Sequence, residues 1–67
     1  MSNHDYVEID CEVKVETDHA YLIFDGKTEA WVPKSQVSDF SDEARNGRTV
    51  ITSVFIPEWL ANKKGLI

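Results

Sequence analysis

One cysteine, Cys11, is the whole supply of thiol in this sequence, and a lone thiol closes no internal disulfide. A covalently stapled framework is therefore excluded, and a reduced, cytosolic setting is expected. Long apolar runs are missing as well. No stretch approaches the roughly 18 residues that a membrane-crossing helix requires. The opening MSNHDYVEID has no basic region followed by an apolar one, so no secretory signal is expected there. Glycine is scarce: Gly26, Gly47 and Gly65 each fall where a turn or a helix cap is expected, which leaves no glycine-rich loop to cradle a phosphate.

Histidine is limited to His4 and His19. His4 lies in the N-terminal tail and His19 in a turn beside Asp18, while Cys11 belongs to the apolar face of a strand. Their spacing matches no zinc pattern, and a thiol between Ile9 and Val13 reads as a small core residue rather than a nucleophile. No metal, no cofactor and no catalytic residues are expected. Length points the same way. A chain of 67 residues buries only about 60% of its unfolded surface, and a catalytic cleft would consume much of so thin a core.

What the chain has in abundance is acid, and it is unevenly spread. Residues 1–29 hold eight acids against two bases, a net of −6; residues 30–67 hold four acids against five bases, a net of +1. Nucleic-acid phosphates repel such a protein on average, so a protein partner is the first expectation and nucleic acid the second.

From Tyr6 to Val15 apolar and polar residues alternate, with Tyr6 on the polar side. Val7, Ile9, Cys11, Val13 and Val15 share one face, and Glu8, Asp10, Glu12, Lys14 and Glu16 the other, which predicts one half-buried strand. Residues 17–19 predict a turn with Asp18 bonding its own backbone. Residues 20–24, AYLIF, predict a second strand, and the Asp25-Gly26 pair a hairpin into a third strand over 28–32 that stops at Pro33. The segment 34–48 lacks a strict period, and SDEAR within it is compatible with one short helical turn. Asn46-Gly47 then marks a turn before a fourth, β-branched strand over 49–56. The tail predicts a helix over about 57–64. Pro57 suits its first position, Glu58 its positive end, Lys63 and Lys64 its negative end, and Gly65 its cap. So short a helix must dock, through Trp59 and Leu60. The expectation is a single mainly-β domain over 1–67 with one short C-terminal α-helix. Its sheet is a small curled antiparallel one, or a partly open β-barrel, of about four strands.

Two candidate surfaces follow. Glu8, Asp10, Glu12 and Glu16 project from one face of the first strand, with alternate residues about 6.6 Å apart. Such a row can imitate a phosphate backbone and occupy a basic channel of a protein partner, although Lys14 interrupts it. The alternative uses Lys34, Arg45 and Arg48 beside Trp31 or Tyr21 as a stacking platform for single-stranded nucleic acid. Trp31 alternates with Val32 and fits the core equally well, and core packing is the favoured expectation.

WVPKSQV at 31–37 and IPEWLANKKGL at 56–66 resemble paired elements of small, mostly uncharacterised phage and prophage proteins: a Trp-x-Pro-Lys-Ser-Gln strand end, and an Ile-Pro-x-Trp-Leu-Ala segment with a Lys-Gly-Leu ending. The matching residues are Trp31, Pro33, Lys34, Ser35, Gln36, Ile56, Pro57, Trp59, Leu60, Ala61, Lys64, Gly65 and Leu66. The resemblance implies a phage accessory protein of a bacterial cytoplasm, either an inhibitor of a host defence complex or a helper of DNA metabolism. Lys34, Ser35 and Gln36 then either cap backbone groups of the turn and the nearby helix or form a recognition rim. A structural subunit that assembles through an edge strand is a third expectation.

Overall fold

The long first alternation does not form one strand. The computed structural model describes residues 5–67 and divides that alternation into β1, Tyr6–Asp10, and β2, Glu12–Glu16. Cys11 is the bend, though its N–H still reaches the Thr52 carbonyl at 3.0 Å. β3 spans Ala20–Phe24, β4 Glu29–Pro33, β5 Asp39–Arg45 and β6 Arg48–Pro57. A 3₁₀ turn covers Lys34–Gln36, and α1 covers Glu58–Lys63. The strands form two three-stranded antiparallel sheets, ordered β1-β6-β5 and β2-β3-β4. The mainly-β class with one short C-terminal helix holds, and the barrel is not closed. Two further strands join the expected four, one from the bend at Cys11 and one from β5.

β5 replaces the expected irregular segment, including the helical turn over SDEAR. The cause is local. Asn46 and Gly47 both adopt positive φ, 51° and 78°, the geometry of a two-residue turn whose twist matches a hairpin. That turn lays residues 39–45 along β6, where Arg45 pairs with Arg48 and Asp39 with Phe55. Every residue of β5 is exposed, so it is held by its ladder rather than by burial.

The core lies between the sheets. The β1-β6-β5 sheet contributes Ile9, Val54 and Ile56; the β2-β3-β4 sheet contributes Tyr21, Ile23, Ala30 and Val32; the C-terminal segment closes it with Leu60, Ala61 and Leu66. The helix is six residues long and depends on this docking. Pro57 is its N-cap rather than its first turn. Gly65, at φ 74°, donates to the Asn62 carbonyl at 3.2 Å and Leu66 to the Ala61 carbonyl at 2.8 Å. That paired pattern is a left-handed helix ending that folds Leu66 back onto the core. Among the described residues no helix is long and apolar enough to cross a membrane.

A β-bulge decides what the second sheet shows to solvent. Val13 pairs with Ile23 but Val15 pairs with Leu22, so Lys14 is an extra residue and the facing of β2 reverses after it. Val15 is consequently exposed, in a cross-strand row with Leu22 and Trp31, while Glu16 joins the row of Tyr21 and Val32. The uniform inward face expected for Val7 to Val15 thus ends at Val13.

Candidate functional site

Trp31 is not a core residue. Ala30 and Val32 take the inward positions of β4, so Trp31 stands on the outer face and remains 43% exposed. Trp59 reaches the same outer region from α1. Consecutive helical residues are rotated by about 100°. Leu60 and Ala61 are buried, so Trp59 swings to the margin and is also 43% exposed. Only Leu60 of the expected Trp59–Leu60 pair docks. The two indoles line one groove of about 490 Å³, whose floor and walls include Ala20, Pro33 and Leu60, with His19, Lys63 and Lys64 as its polar groups. No carboxylate lines it.

Backbone bonds hold the groove together. The Lys34 N–H donates to the His19 carbonyl at 2.8 Å and locks the end of β4 to the start of β3. Thr17 forms the preceding turn, its Oγ1 accepting from the Ala20 N–H at 3.1 Å, in the role expected of Asp18. Glu58 at the start of α1 donates its N–H to the Asp5 carbonyl at 3.0 Å. The segments 31–37 and 56–66 meet here. Pro33 ends the strand, and the chain leaves through a 3₁₀ turn in which Val37 N–H bonds the Lys34 carbonyl at 3.1 Å. Among the described residues the side chains of Ser35 and Gln36 form no hydrogen bond; Ser35 is exposed and Gln36 half-buried. The expected side-chain capping is absent from that set, and backbone bonds make the turn instead.

The expected acidic row is divided between sheets. Glu8 and Asp10 stand on the outer face of the β1-β6-β5 sheet, opposite Phe55 and Ser53, and Asp39 of β5 flanks Phe55 on its other side. Ser53 is buried, and its hydroxyl donates to Glu8 Oε2 at 2.8 Å, fixing that carboxylate. Glu12 and Glu16 belong to the other sheet and are ion-paired, Glu12 with Lys14 at 3.3 Å and Glu16 with Lys34 at 2.6 Å.

The expected basic platform is not assembled either. Tyr21 is buried, with the Lys34 ammonium 5.0 Å from its ring centroid. The hydrogen bond that Lys34 Nζ donates to Glu16 Oε2 is the main reason the Lys34 pKa is raised. Arg45 is paired with Glu43, and Arg45 and Arg48 face a separate cleft with Glu12, Asn46 and Val50. The bases that line the groove with Trp31 are Lys63 and Lys64, which the sequence suggests only as the helix end and, for Lys64, as part of the C-terminal pattern. One signal for this was available: residues 59, 60 and 61 span more than half a helical turn, so they cannot all face the core.

His19 is exposed at the groove, and His4 falls outside the described residues. Cys11 is half-buried, and burial, then the charges of Asp10 and Asp25, raise its thiol pKa to about 11. Among the described residues no three His, Cys, Asp or Glu side chains gather as a metal site. No protein family, curated protein or solved structure shows significant similarity to the chain.

Proposed function

We propose that the protein is a non-enzymatic accessory protein of phage or prophage type that acts in the bacterial cytoplasm by binding a protein partner. One observation carries this reading: two tryptophans from distant segments are exposed in a single apolar groove. Tryptophan is the residue most often found at the energetic centre of protein interfaces.

Magnitudes indicate how large the contact must be. Each indole leaves on the order of 100 Å² uncovered, and covering both at about 25 cal/mol per Å² yields about 5 kcal/mol. Association costs about 4–15 kcal/mol before any surplus appears. The groove alone is therefore too small, and the adjoining row of Leu22 and Val15 supplies the extension. That favours an extended partner segment over an isolated side chain.

A second surface supports the inhibitor form of this role. Glu8 and Asp39 flank Phe55 on one rigid sheet face, with Glu8 held by Ser53 and Asp39 accepting the Phe40 N–H at 2.8 Å. Fixed carboxylates around an aromatic centre suit a basic protein surface that otherwise meets phosphates.

Affinity capture from bacterial lysate with wild type, Trp31→Ala and Trp59→Ala tests the main reading. The expected result is a host protein retained by wild type and lost from both variants, whose melting temperatures stay unchanged. Equal retention by all three proteins would sink it.

A further inference from the structure

The polar groups of the groove are all potential cations, on a chain whose net charge is −5. Lys14, Lys34 and Arg45 have their charge met by carboxylates. Among the described residues Lys27, Arg48, Lys63 and Lys64 form no salt bridge, and of these four Lys63 and Lys64 line the groove. A cation at a helix C-terminus relieves the helix dipole, but that does not explain why two stand beside an open groove lined by Trp31, Trp59, Leu60, Ala20 and Pro33. We infer that the groove takes an acidic segment of the partner chain: an apolar side chain against Trp31 and Trp59, with flanking carboxylates against Lys63 and Lys64. This rests on the protein-partner reading above and specifies its chemistry.

Charge distribution selects a peptide over a nucleic-acid strand. Two ammonium groups match one or two carboxylates. A polynucleotide adds a phosphate with every residue, and the exposed Asp18 and Glu58 directly precede the groove residues His19 and Trp59 in the chain. Within a screening length of about 8–10 Å these acids oppose a polyanion and leave a short acidic peptide unaffected. Lys34, next to the groove residue Pro33 in the chain, is already held by Glu16.

A displayed random-peptide library selected on the immobilised protein, with counter-selection on Trp59→Ala, tests this directly. The expected result is a consensus with an apolar residue flanked by Asp or Glu. Affinity for the synthesised peptide should fall about tenfold or more in Lys63→Glu/Lys64→Glu and weaken as salt rises. Both variants must first be shown folded by a cooperative melt, because Lys64 is half-buried and two acids at the helix C-terminus oppose its dipole. A tryptophan-dependent consensus that is neutral or basic, or one indifferent to the charge reversal, overturns the acidic-segment inference and leaves the protein-partner reading standing. Failure to select any tryptophan-dependent peptide, combined with saturable quenching by oligo-thymidylate, overturns both.

Discussion

Glu16 and Lys34 are partners, 2.6 Å apart, and so neither is available to the surface to which sequence alone assigns it. Their pairing ties the last residue of β2 to the turn that follows β4, across the ring of Tyr21. The bulge at Lys14 makes it possible by turning Glu16 onto the Tyr21 face.

Because the pair is solvent-exposed, Lys34→Ala should lower the melting temperature only slightly, and less at high salt. The folded-state pKa of Lys34 is raised, chiefly by the Glu16 hydrogen bond. A raised lysine pKa contributes stability that is fully present below the unfolded value of 10.5 and lost as pH rises through the folded value. The difference between wild type and Lys34→Ala should therefore persist at pH 9 and shrink above pH 10.5. Thermal melts of the two proteins across that window check it.

Cys11 should be a slow thiol. A pKa of about 11 against an ordinary 9.0 lowers the thiolate fraction near neutrality, by about 100-fold. Reaction with a disulfide reagent at pH 8 should be about tenfold or more faster in denaturant than in the native protein, since the stronger nucleophilicity of a more basic thiolate offsets part of its scarcity. Equal rates would show that the bend between β1 and β2 leaves the thiol open.

The core is thin enough for one methylene to register. Ile23 is fully buried between the sheets, and Ile23→Val should cost about 0.5–1.5 kcal/mol. In a domain this small that lowers the melting temperature by roughly 4–8 °C per kcal/mol. A thermal melt measures it, with Thr49→Ser on the exposed hairpin as a control expected to shift far less.

Much of the fold is legible in the sequence because local chemistry and tertiary structure agree. The Asp25-Gly26 turn is one case, with Asp25 Oδ1 accepting from the Thr28 and Lys27 N–H groups at 2.7 and 2.9 Å. The Gly65 cap and the strand at 20–24 are others. β5 was not legible, since an exposed strand carries no apolar alternation and exists through its ladder to β6. Nor was the bulge, because Lys14 differs in no local preference from its neighbours, yet it reverses everything after it. The candidate site was half legible. Trp31, Pro33, Trp59 and Lys64 stood out as a pattern, but size and hydrophobicity placed the tryptophans inside. Smaller residues, Ala30, Val32, Leu60 and Ala61, fill those inward positions and leave the indoles to solvent. Sequence rules of this kind fail where a surface is shaped for something other than stability.

The central feature of the molecule is an apolar, tryptophan-lined groove with Lys63 and Lys64 at its edge on a protein of net charge −5. Comparing the quenching of tryptophan fluorescence by iodide and by caesium at low ionic strength tests it most directly, and Trp31 and Trp59 are the only tryptophans in the chain. The expected result is an iodide-to-caesium quenching ratio above that of free N-acetyltryptophanamide despite the net charge of −5, with the excess lost in Lys63→Glu/Lys64→Glu. A ratio below that of the free indole in the wild-type protein would overturn this, because the indoles would then lie in the negative field of the whole molecule rather than in that of Lys63 and Lys64.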